Sequence, residues 1–363
     1  MNGVVDADTH IAESAGIWEF LDKEMYPRRP VKVSVPEDTL YGASDVFWLI
    51  DGNIFPKPSG MGGFRLVTPS EARSQSSRGD ITIASREITD PKIRLADMDR
   101  LGIQIQVIYP TLFLVYLTDD PALEVSLCRA YNKWLAQVWL ADEERLRWVA
   151  VLPLRSIEAS IEEMRVAKKN GATGVFFRGM EGDLTLDNPY FFPVYQEAEK
   201  LNLPICIHTG SGAPKLIDLY NLERNHSFAH GRVLPLFAFR DIVHNRIPEM
   251  FPKLRFGFVE ASAGWAPFIV HILRRLLAKN WKFSSSQDLF HEYRMFIACE
   301  ADEDIPYLAD FIGNDKLIIG SDYGHNDPSA EPMLLESLAS RGDLSVELQD
   351  SILKANPRAL YGI

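Results

Sequence analysis

The sequence predicts a (β/α)8 TIM barrel, an α/β fold, with insertions after the first and fifth strands. Three observations predict it. Eight short apolar runs alternate with stretches of helical periodicity, the pattern of a parallel sheet built from strand–helix units. Four of those runs, the first, fifth, sixth and eighth, stop at a carboxylate or an imidazole: VVDADTH, LPICIHTG, LRFGFVEASAGW and LIIGSDYGHND. Only a closed ring sets the first strand beside the eighth, and a ring gathers such groups on the face formed by the C-terminal strand ends. An open, doubly wound sheet is the competing arrangement and leaves the first and eighth strands apart.

Gly3 to His10 starts the count, apolar at Val4 and Val5 and polar at Asp6, Asp8 and His10. Residues two apart on a strand share a face, so Asp8 and His10 point the same way and Asp6 shares their parity. Residues 14–28 suggest a short helix. From 30 to 90 regular patterning gives way to Pro, Gly, Ser and scattered aromatics (Phe47, Trp48, Phe55, Phe64), the composition of an inserted lid or an oligomer contact. Asp90-Pro91 then opens a helix that runs to Gly102. Strands follow at 103–110, 145–154, 171–179, 203–210, 254–261, 294–304 and 316–327, with helices between them and at 330–340 and 345–355. A second insertion, 211–232, follows the fifth strand. The reading is of one barrel domain over 1–363.

At 363 residues and 46% hydrophobic content the chain can bury a large core. A net charge of -12 and a pI near 5.2 argue against nucleic acid or an anionic membrane as partner. Cys128, Cys206 and Cys299 sit in apolar runs without CxxC spacing, as buried thiols of a reducing compartment do. With no apolar run of membrane-spanning length and no signal-peptide pattern after Met1, a cytoplasmic protein is expected.

The strand ends carry the chemistry. Asp8, His10, His208, Glu260 and Asp322 occupy the same relative place on their strands and would converge on one cavity. Two imidazoles with several carboxylates and no thiolate suit a divalent metal; zinc is one choice, and the oxygen-rich set leans toward manganese or iron. Such a metal would acidify a water or hold a carboxylate, with Asp322 or a nearby histidine such as His325 moving the proton. Arg178 ends the fourth strand, where a guanidinium can grip a carboxylate substrate in two-pronged fashion, an ordinary salt bridge being the plainer role. Glu13, His226, His230 and Glu300 form a second tier. Each signal is weak alone, since a D-x-H end or a strand-end Asp is as readily a helix cap. Their agreement in position is what chance capping does not require.

Taken together, VDADTHIAE, LPICIHTG, FPKLRFGFVEASAGWAPF, KLIIGSDYGHND and ANPRALYGI resemble the amidohydrolase-related family typified by aminocarboxymuconate-semialdehyde decarboxylase. The resemblance spans nearly the whole chain outside the two insertions. It implies a barrel of the metal-dependent hydrolase type holding one ion, or two. The family's first-strand H-x-H falls on Asp8 and His10, its fifth-strand histidine on His208 and its eighth-strand aspartate on Asp322. Its catalytic sixth-strand histidine falls on Glu260, which beside a cation will be ionised and ligand-like. The implied reaction is non-oxidative decarboxylation of a small aromatic or unsaturated carboxylic acid. Hydrolysis of an amide, ester or lactone is the near alternative, and a diiron oxygenase on the same barrel a third. A ligand-binding barrel without metal would be expected to lack several of these residues. A homo-oligomer is also expected.

Overall fold

The computed structural model describes residues 3–39, 45–56, 67–73, 81–216, 229–326 and 329–363. Thirteen strands are described: β1 (Val4–Ile11), β2 (Val31–Ser34), β3 (Val46–Ile50), β4 (Asn53–Phe55), β5 (Ile103–Pro110), β6 (Leu146–Ala150), β7 (Ala172–Phe177), β8 (Met180–Glu181), β9 (Leu184–Thr185), β10 (Ile205–His208), β11 (Phe256–Val259), β12 (Met295–Cys299) and β13 (Leu317–Ile319). Eight of them, β1-β5-β6-β7-β10-β11-β12-β13 in spatial order, form a parallel sheet. The seam between its first and last strands is stitched past the end of β13, where Asp322 N donates to Asp8 O (3.0 Å) and His10 N to Tyr323 O (2.6 Å). The sheet is thus a barrel, as the alternation predicted, and strand ends far apart in sequence share one rim.

Helix boundaries follow their local chemistry. Asp90 caps the helix Pro91–Leu101 by accepting from Lys92 N, and Gly102, at φ 71°, ends it in the left-handed conformation glycine tolerates. Asp120 caps Pro121–Trp139 in the same way. The helix expected over 14–28 is instead two 3-10 turns, Ala15–Phe20 and Tyr26–Arg28. Pro27 has no N–H to donate to a continuing helix, and Ser14 makes no side-chain cap.

The first insertion is more regular than its composition suggests. Strands β2, β3 and β4 form an antiparallel sheet, turning between β3 and β4 at Asp51-Gly52 with positive φ at both residues (47° and 78°). Asp-Gly flanked by apolar residues is a strong two-residue hairpin signal. Two of its aromatics pack within the chain: Phe47 and Trp48 are buried, with Trp48 edge-on to Trp18 at 6.3 Å between ring centres, while Phe55 is partly buried and Phe64 lies outside the described residues. Among the described residues no helix is long and apolar enough to cross a membrane.

Candidate metal centre

Five of the expected residues meet. His10 Nε2 and His208 Nε2 lie 3.2 Å apart. Asp8 Oδ1 is 3.4 Å from each of these nitrogens, Glu260 Oε2 is 3.1 Å from His208 and 3.5 Å from His10, and Asp322 Oδ1 is 3.5 Å from His10. All five side chains are buried.

The tautomers follow from the other ring nitrogen. His10 Nδ1 faces Pro110 O at 3.0 Å and His208 Nδ1 faces Thr209 O at 2.7 Å. A carbonyl only accepts, so Nδ1 carries the hydrogen and each neutral ring turns a bare Nε2 inward. Two nitrogens facing each other among three carboxylates form a donor set that a shared cation would satisfy. The spacing fits one: donors at about 2.0–2.2 Å from an ion stand roughly 3.0–3.5 Å from one another. The same carboxylates also favour a proton on the His10 imidazole. Burial opposes a charge on His10, yet Asp8 and Glu260 outweigh it and raise its pKa to about 9. Burial likewise opposes the charge of Asp8, and the two imidazoles still hold its carboxyl well below the usual carboxylate range.

Backbone conformation aims these groups. Glu260 (φ 52°) and Asp322 (φ 51°) both take the left-handed region just past their strands, at a cost on the order of 1–3 kcal/mol each. Thr209 Oγ1 donates to Glu260 O at 2.6 Å and holds that turn. Gly320 lets the last strand reach β1, because a Cβ there would lie 2.3 Å from Asp8 Cβ and 2.6 Å from Asp8 N. Gly320→Ala should therefore destabilise the fold by about 1–3 kcal/mol, as overpacking does, read as a lower thermal midpoint, and should weaken metal binding as well.

His325 stands one layer out. Its ring stacks on His10 at 3.7 Å between centres, its Nδ1 lies 2.8 Å from Asp322 Oδ1 and its Nε2 lies 2.8 Å from Thr111 Oγ1. Donor atoms of His10, Glu260, Asp322 and His325 also lie within 4.8 Å of one another, a second grouping that overlaps the first.

The remaining candidates lie elsewhere. Glu13 accepts from the backbone N–H groups of Thr111 (3.0 Å) and Leu112 (2.7 Å), so it fixes a loop. Burial raises its pKa to about 7 against those hydrogen bonds. Glu300 Oε1 accepts from Arg232 and from Ser262 Oγ (2.7 Å). Arg178 is no open carboxylate clamp: its guanidinium is buried, paired with Glu181 at 2.5 Å, and donates to the carbonyls of Phe113 and Val115. Sequence reading missed Glu181, which lies three residues beyond Arg178. His226 and the side chain of His230 lie outside the described residues, as does Asp327. A cleft of about 870 Å³ on the loop face, walled by Phe55, Tyr116, Tyr190 and Phe191, contains none of the ligand candidates.

Asp6 departs from its expected parity. The β1–β5 register slips between Asp6 and Thr9, which pair with Gln106 and Ile108. Gln106 and Ile108 share a face of β5, so Asp6 joins Thr9 on the face away from the ligands; the extra residue is a β-bulge.

A family model described as amidohydrolase matches residues 5–363. The chain belongs to the amidohydrolase family. A 2-amino-3-carboxymuconate-6-semialdehyde decarboxylase from Dictyostelium discoideum is 30% identical over 122 residues, 33% of this chain and 33% of that protein. The match thus spans about a third of the relative's length. Among solved structures, an amidohydrolase from Mycobacterium avium subsp. paratuberculosis K-10 superposes with a TM-score of 0.77 at 19% identity, covering 99% of both chains. A 5-carboxyvanillate decarboxylase from Novosphingobium aromaticivorans DSM 12444, complexed with manganese and 4-hydroxy-3-methoxy-5-nitrobenzoic acid, superposes with a TM-score of 0.70 at 16% identity over 100% of this chain and 96% of that one. These amidohydrolase likenesses carry the barrel, and the buried cluster of Asp8, His10, His208 and Glu260 gives it a place that could hold a metal ion.

Proposed function

We propose that this amidohydrolase removes carbon dioxide, without oxidation, from a small aromatic or unsaturated carboxylic acid. The observation that carries the reading is the pair of inward-facing Nε2 atoms of His10 and His208, 3.2 Å apart and ringed by Asp8, Glu260 and Asp322. The decarboxylases among its relatives supply the reaction class. A divalent ion bound there supplies Lewis-acid polarisation of the substrate carboxylate and its neighbouring oxygen. Manganese or iron suits three carboxylates better than zinc does.

The chain's own residues divide the remaining work. Glu260 lies within ligand distance of both imidazoles, so its role in this reading is to bind the ion. His325 sits between Asp322 and Thr111, where it can take or give one. Burial of the whole cluster excludes bulk water and strengthens each electrostatic contact.

One observation favours a second reading. The two overlapping ligand groupings share His10 and Glu260, and carboxylates can bridge a metal pair about 3.5–4 Å apart. That arrangement suits a dinuclear oxygenase. Elemental analysis of the purified protein, with anaerobic assays of carbon dioxide release from a panel of hydroxybenzoates, separates the two. We expect one ion per chain and release without oxygen; two irons per chain with oxygen-dependent turnover would replace the first reading by the second. The proposal takes the protein as a cytoplasmic homo-oligomer, and light scattering tests the oligomer.

A further inference from the structure

The ligand-bearing backbone is gripped from the outer side of the barrel wall by residues that touch no reacting atom. Asp6, turned outward by the bulge, accepts from Ser321 N (2.8 Å) and Ser321 Oγ (2.6 Å). Ser321 Oγ in turn accepts from Tyr323 N at 3.2 Å. These bonds fix both neighbours of Asp322, whose own N–H is held by Asp8 O. Asp322 is therefore pinned from three sides in a backbone conformation that costs energy to hold.

Arg94 does the same for β1. This fully buried guanidinium reaches in from the helix Pro91–Leu101 and donates to His10 O (3.2 Å), Ser85 O (3.3 Å) and Gln106 Oε1 (2.6 Å). It lies 3.9 Å from the ring centre of Tyr323, face-on, and the Tyr323 hydroxyl donates to Asp97 Oδ2 at 2.6 Å. One network thus joins the strand carrying Asp8 and His10 to the loop carrying Asp322, across the seam where β13 has already ended. A buried arginine and a buried aspartate are expensive to keep. Stability alone gives no reason to place both behind the metal ligands.

We propose that Asp6 and Arg94 are positioning residues for the metal centre, holding Asp322 and His10 at ligand spacing from outside the barrel. The proposal rests on the metal reading above. It implies that the seam closes by polar bonds because an apolar contact would fix packing without fixing where the ligand atoms lie.

Metal affinity, measured by competition with a coloured chelator for Mn2+ or Co2+, tests this together with the thermal midpoint of the metal-free protein. Asp6→Asn keeps the side chain's shape, and Ser321→Ala removes its hydroxyl partner. Each should weaken metal binding 10–100-fold, the range seen when an outer partner of a ligand is lost, and should alter the Co2+ absorption spectrum. Asn132→Ala is the control: Asn132 is equally buried, bonds Val151 N and O and braces β6, which bears no ligand. It should lower the midpoint and leave affinity and spectrum unchanged. Wild-type affinity and spectrum in both Asp6→Asn and Ser321→Ala would overturn the proposal, as would an equal loss of affinity in Asn132→Ala. If His208→Ala also kept its metal, the metal reading itself would fall.

Discussion

Replacing His208 by alanine is expected to strip the protein of its metal while leaving the barrel folded. The imidazole supplies one of two nitrogen donors, and its Nε2 is 3.1 Å from Glu260 and 3.4 Å from Asp8. Without it three carboxylates face a single ring. Affinity should fall by more than ~100-fold, beyond the range for losing an outer partner, and carbon dioxide release should fall with it. Asp322→Asn makes a cleaner partner variant than alanine, because asparagine tolerates the left-handed backbone at that position and removes only the charge. It should lose metal comparably. Metal content by elemental analysis and folding by far-ultraviolet circular dichroism are read on the same samples. Full metal content in both variants would remove the site assignment, whatever the activity.

The barrel was legible because its signal is repetitive: each apolar run between helical stretches votes for the same fold, and boundary errors of a few residues do not change the count. The meeting of these strand ends was legible for a related reason. A carboxylate or imidazole that ends a buried strand has few neighbours other than the other strand ends, so His208, Glu260 and Asp322 could be grouped before any geometry was known. Asp6 could not be placed, because a bulge leaves no mark in the residues it displaces, and strict alternation put the side chain on the wrong face. For Arg178 the plainer of its two roles, the salt bridge, is the one present. Whether a strand-end guanidinium is open depends on what else reaches it, and Glu181 arrives through a tight turn that positional patterning does not resolve. The hairpin at Asp51-Gly52 was missed, because its two-residue signal lay inside the irregular composition of 30–90.

The fate of His325 decides how the proton moves. Its two ring nitrogens lie 2.8 Å from Asp322 Oδ1 and 2.8 Å from Thr111 Oγ1, so both are engaged before any substrate arrives. A ring held in this way is placed to pass a proton between a ligand carboxylate and the substrate side without leaving its position. His325→Gln should therefore retain its metal and lose about 10²–10⁴-fold in turnover, the usual contribution of a positioned acid or base. Added imidazole should restore part of the loss if the vacated space admits it. The informative comparison is with metal content. Should His325→Gln lose one ion of two, His325 is a ligand, and the overlapping groupings around His10 and Glu260 describe a metal pair, leaving the proton to be carried by another group. Retained metal with lost turnover instead places the acid–base step on His325.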